Sequence, residues 1–100
     1  MPQRALPAKV RHSADRLGEH LTTWRKLQNL TAEQVAERAG LSRPTLRKLE
    51  HGNVSVGVES FLKVLWALGQ LDRVTESLDP YETDLGRARA DAQLPSRVRR

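Results

Sequence analysis

Residues 31–52, TAEQVAERAGLSRPTLRKLEHG, contain two helix starts and two helix stops in so short a run that they fit little except two brief helices joined by a tight turn. Thr31 is a good N-cap, and Gln34, three residues on, is placed to complete a capping box, so a helix begins there with Val35, Ala36 and Ala39 on one face. Gly40 ends it, since glycine takes the positive φ of a helix terminus without steric cost, and the apolar Leu41 packs back on the last turn. Ser42 restarts a helix in which Leu46 and Leu49 share the inner face. Arg43, Arg47 and Lys48 are left outside, and Gly52 closes the helix. Where two such helices cross steeply the residue at their closest approach must be small, and Ala36 stands there.

The stretch reads as a helix-turn-helix with a basic second helix, although two capped helices with a glycine between them also occur in small helical proteins of other kinds. The combination of Ala36, Gly40, Leu41, Leu46, Leu49 and the closing Leu49-Glu50-x-Gly52 resembles the phage-repressor (Xre-type) family, over about Leu17 to Leu71. The resemblance implies an all-α, five-helix domain that inserts the helix starting near Ser42 into the major groove of DNA. It also implies a structural ion pair between Arg25 and Glu50. Two positions depart from the family pattern. Pro44 stands where relatives often carry a polar, base-touching side chain, and it disfavours helical dihedrals at Arg43. Ala32 stands where a phosphate-binding glutamine is common, so either Gln34 substitutes or that contact is missing.

Length and composition narrow the other possibilities. One hundred residues make one domain with a modest core and little room for an enzyme. With no cysteine there is no disulfide framework, thiolate metal site or cysteine nucleophile, and no apolar run suits a signal peptide or membrane span, which makes cytoplasm the expected location. The net charge of +5 is uneven: residues 1–16 carry four basic and one acidic side chain, 87–100 carry five and one, and 17–86 carry eight and ten. A polyanion is therefore drawn to the basic second helix and to the ends of the chain rather than to the surface at large, unless those ends are merely solvated.

In chain order, residues 1–12 read as a basic, flexible arm, 13–79 as the DNA-binding domain and 80–100 as a charged, flexible tail, with a short helix around Arg87 to Ala92 and Pro95 near its end. Ser13 can cap a first helix whose core stripe is Leu17, Leu21, Trp24 and either Leu27 or Gln28. After the loop NVSVGVES, Gly57 can cap a fourth helix with Phe61, Leu62, Leu65 and Leu68 inward, closed by Gly69. Trp66, Leu71, Val74 and Leu78 are apolar surplus. They either form a subunit contact or finish the core of the monomer. His20 and His51 have no ligand-spaced neighbours, and Glu33 and Glu37 are explained as the charged face of a helix, so no catalytic or metal site and no cofactor is expected.

These readings converge on a sequence-specific repressor that binds double-stranded DNA as a homodimer on an inverted repeat. Arg43, Arg47 and Lys48 are the expected base readers, with Ser42, Pro44, Thr45, Gln34 and Asn53 completing the contact surface. The run GNVSVGVESFLKVLWALG is similar to HipB-like antitoxins, which implies autoregulation and a HipA-like toxin partner. The alternative is a protein-interaction module that neutralises a toxin and binds DNA only secondarily.

Overall fold

The structure, a computed structural model, describes residues 5–93. The first four residues of the expected arm, and 94–100 with Pro95, Arg97, Arg99 and Arg100, lie outside the described residues. Among the described residues the architecture is all-helical: α1 (Ala8–Leu27), α2 (Ala32–Ala39), α3 (Arg43–Glu50), α4 (Val58–Ala67), α5 (Leu71–Ser77), a 3₁₀ turn (Pro80–Glu82) and α6 (Asp84–Gln93). The chain divides into two compact units, Met1–Gly69 and Gln70–Arg100. The division falls at the turn after α4, earlier than the boundary expected at 79/80.

In the first unit α1 packs on α3, while α2 packs on both α3 and α4. Leu21, Val35, Ala36, Ala39, Leu46, Leu49, Val64, Leu65 and Leu68 form the buried core. The expected capping box is present: Thr31 Oγ1 accepts from the Gln34 N–H (3.0 Å), and Gln34 Oε1 accepts from the Thr31 N–H (2.9 Å). Helices α1, α2 and α3 all end with the same device. A residue with positive φ (Asn29, Gly40 or Gly52) lets the next N–H reach back, so that Leu30 donates to Arg25 O, Leu41 to Ala36 O and Asn53 to Lys48 O at 2.9–3.0 Å.

The first helix differs from its expected form. It starts at Ala8, behind Pro7, so residues 8–12 of the expected arm are helical and Ser13 lies inside the helix rather than capping it. Nothing in AKVRHSADR interrupts helix dihedrals, and a proline immediately before the first turn is compatible with them, whereas the capping preference of a lone serine is weak against continued backbone hydrogen bonding. Its buried face is also rotated from the expected stripe. Leu17 is 48% exposed, while Gly18 beside it is buried against the end of α3, where an added Cβ would stand 2.6 Å from Glu50 O and 2.7 Å from Leu49 O. Two backbones approach there with no side chain between them. Of the two alternatives at the end of the stripe, Leu27 is exposed and Gln28 Nε2 donates to Leu68 O (2.8 Å). On α4, Val64 is fully buried and Leu62 is 41% exposed, so one of the four expected inward residues gives way to another two positions on, in an apolar run whose period is ambiguous.

In the second unit the 3₁₀ turn packs on α6. Asp79 Oδ1 accepts from the Tyr81 N–H (2.9 Å), and Thr83 Oγ1 accepts from the Gly86 N–H (2.9 Å). The expected tail is thus folded as far as Gln93, and its helix begins at Asp84 rather than near Arg87.

Candidate nucleic-acid interface

Helix α3 is set by its ends. Ser42 Oγ accepts from the Thr45 N–H (3.2 Å) and shares a 2.9 Å hydrogen bond with Thr45 Oγ1. Pro44 occupies the first turn, where its missing N–H leaves no helical hydrogen bond unmade, so the helix starts at Arg43 despite the proline. At the other end His51 Nδ1 donates to Arg47 O (2.8 Å), a carbonyl that also accepts the His51 backbone N–H (3.0 Å).

With Leu46 1% and Leu49 8% exposed, the inner face of α3 is fixed, and Arg43, Pro44, Arg47 and Lys48 are exposed on the opposite side. Among the described residues, Arg43, Arg47 and Lys48 form no ion pair. The one carboxylate on the helix, Glu50, is held by Arg25: Nε to Oε2 is 2.8 Å and Nη2 to Oε1 is 3.2 Å, and the third guanidinium nitrogen donates to Leu30 O (3.2 Å). These side chains are 15% and 10% exposed. The pair ties α1 to α3, and it also neutralises the helix's own negative charge, so α3 presents a net positive surface.

Two open concavities flank that surface. One, of about 470 Å³, is lined by Ala32, Arg43, Pro44, Arg47, Glu50 and His51. The other, of about 450 Å³, is walled by Arg47, Lys48 and His51, by Asn53, Val54 and Ser55 of the following loop, and by Arg11 of α1. The residues singled out in the sequence are therefore parted: Arg43 and Pro44 border the first concavity, Lys48 and Asn53 the second, and Arg47 both. Gln34 is exposed at the start of α2, its Oε1 engaged in the capping box and its Nε2 left as a donor. Asn53 Oδ1 likewise accepts from Ser55 N (2.8 Å) and Oγ (2.6 Å), which leaves Nδ2 as a donor.

Arg11 escapes the sequence reading because it falls in the stretch assigned to a mobile arm. The usable signal was the absence of any helix breaker between Pro7 and Ser13. Trp66 and Leu78 are 64% and 81% exposed, and Leu71 and Val74 are half-buried. Among the described residues no group of three or more His, Cys, Asp or Glu side chains comes together as a metal site, and no helix is long and apolar enough to cross a membrane.

The matched family model is described as helix-turn-helix (HTH_3) and covers residues 21–72, from the core residue Leu21 past the end of α4. The chain belongs to the helix-turn-helix family of DNA-binding transcriptional regulators. No curated protein and no solved structure matches it. In this regulator α2 and α3 are the two helices of the motif, α3 the one whose outer face is cationic.

Proposed function

We propose that the protein is a sequence-specific repressor that binds an operator as a homodimer, with α3 lying in the major groove. The observation that carries this reading is the outer face of α3, where Arg43 and Arg47 stand one turn apart without carboxylate partners while Glu50 is neutralised by Arg25. A guanidinium so placed can donate two parallel hydrogen bonds to O6 and N7 of guanine, so the half-site contains G. Gln34, Asn53 and whichever of the Ser42 and Thr45 hydroxyls is not the donor in their shared hydrogen bond donate to phosphates around it. Pro44 contributes shape rather than a hydrogen bond.

The dimer contact is assigned to Trp66 on α4, with Leu71, Val74 and Leu78 of the second unit as a separate candidate surface. In support, Trp66 ends an exposed apolar stripe on α4 with Val58 (70% exposed) and Leu62. Selection of bound duplexes from a random pool, followed by light scattering of the complex, tests both parts. An inverted-repeat consensus bound by two chains is the expected result, and failure to enrich any sequence would remove the reading.

A second reading is favoured by the second unit, helical over most of its described residues 70–93, which lies almost wholly beyond the family match. In it the protein is a HipB-like antitoxin whose second unit engages a HipA-like toxin, with repression of its own operon as the companion activity. Co-purification of a kinase-like protein from the native host would favour it; recovery of the chain with itself alone would leave the free-standing repressor.

A further inference from the structure

We propose that α1 carries a phosphate clamp: Arg11, with Lys48 and Asn53, grips the sugar-phosphate backbone on one side of the groove that α3 enters. The inference rests on the reading of α3 as the helix in the major groove. A helix lying there has a phosphate strand on each flank, and the two concavities beside α3 are the surfaces those strands would meet.

On the flank formed by the loop after α3, the loop itself, NVSVGV, has no cation. The positive charge comes from elsewhere, with Lys48 supplied by the last turn of α3 and Arg11 by α1. Arg11 gets there for two structural reasons. Helix α1 starts at Ala8 rather than at Ser13, so Arg11 is held on a helix. That helix is also fixed against the end of α3, with Gly18 on the carbonyls of Leu49 and Glu50 and the Asp15 side chain against Gly52. One turn before Asp15, Arg11 joins the concavity beyond the C-terminus of α3. Asp15 itself does not line that concavity.

The donors there suit an anion. Arg11 and Lys48 form no ion pair among the described residues, and with its carbonyl engaged by Ser55, Asn53 offers N–H groups. Lys48, expected among the base readers, is thereby reassigned to the backbone. A cation on a rigid helix loses less conformational freedom on binding than one on a mobile arm.

The test compares the full-length chain with Arg11→Gln, Arg11→Lys and Arg16→Gln. Binding is followed by fluorescence anisotropy from low to high salt, on the duplex enriched by selection and on a scrambled duplex. Arg16 is exposed on the same helix but does not line the concavity, so it controls for loss of charge alone. The clamp predicts that Arg11→Gln lowers the salt slope of the dimer complex by about 1.8, the value for two phosphates, one per chain, and weakens both duplexes about thirtyfold at 0.15 M salt, leaving their ratio unchanged. Arg11→Lys should retain most of the slope, and Arg16→Gln nearly all of it. Circular dichroism melts verify that each variant is folded. An unchanged slope for Arg11→Gln, an equal loss for Arg16→Gln, or a change in the cognate-to-scrambled ratio would overturn the clamp while leaving DNA binding intact. If the unaltered protein binds neither duplex, the groove reading itself fails and the clamp with it.

Discussion

Gly18 and Gly40 are both required by this fold, for opposite reasons, and each predicts a different size of effect. At Gly18 the backbone dihedrals are those of an ordinary helix and the space is missing: a methyl group would press on the carbonyl oxygens of Leu49 and Glu50. Alanine would gain about 1 kcal/mol of helix propensity there. It would lose more, because backbone atoms cannot rotate aside and α1 would have to lift from α3, straining the Arg25–Glu50 pair. We expect Gly18→Ala to destabilise the protein by about 1–3 kcal/mol, read as a fall in the urea midpoint. An unchanged midpoint would mean that the helices are farther apart than described. At Gly40 there is open space within 4 Å but φ is +71°, so Gly40→Ala should cost only about 1 kcal/mol, from the dihedral alone. Glu50→Gln removes one partner of a largely buried bidentate pair and strands the Arg25 charge, with an expected loss on the order of 3 kcal/mol in the same measurement.

At the scale of elements, what was legible in the sequence is what local chemistry decides. Thr31 with Gln34, Ser42, Gly40 and Gly52 mark the ends of α2 and α3 because caps and left-handed termini depend on a few adjacent residues. The start of α1 was not legible, because Ser13 offers a cap that the helix does not use and the choice is made by what the preceding residues permit. The inward face of α1 was read correctly at Leu21 and misread at Leu17, where Gly18 is the buried residue, for a related reason. Hydrophobic periodicity searches for large side chains, and the residue at the α1–α3 contact has none. A mid-helix glycine was nevertheless a signal, since its propensity cost calls for a packing reason. The two flanks of α3 were invisible because the members of each come from separate parts of the chain. Helix α3 also carries the prediction about specificity. Arg43→Ala or Arg47→Ala should each weaken binding to the cognate duplex by about 1–3 kcal/mol and relax discrimination at one base pair, while Thr45→Ala should weaken all duplexes alike. Selection repeated with the arginine variants reads this directly. An unchanged consensus would move base reading to other residues.

The whole molecule poses the question of copy number. An eight-residue α3 with two exposed arginines reaches about four base edges, a run that recurs by chance roughly every few hundred base pairs, so one chain cannot single out an operator among genomic competitors. Two chains related by a two-fold axis, with their recognition helices about 34 Å apart on one face of the duplex, read twice as much and multiply their discrimination. The joining surface of the proposed dimer must be apolar and free in the single chain, which is the condition of Trp66 at 64% exposure, in line with Leu62 one turn and Val58 two turns earlier on α4. Trp66→Ala removes little that the single chain buries. Its urea midpoint should therefore change by less than about 1 kcal/mol in equivalent stability, whereas truncating a central aromatic of a contact commonly costs 2 kcal/mol or more of association. Sedimentation over a dilution series should show dimer dissociation shifted at least about thirtyfold to higher concentration, and DNA binding should lose its dependence on the second half-site. Equal losses of folding and association would place Trp66 in the support of the single chain. A monomer both free and on the selected duplex would remove the two-fold assembly, and with it the expectation of an inverted-repeat operator.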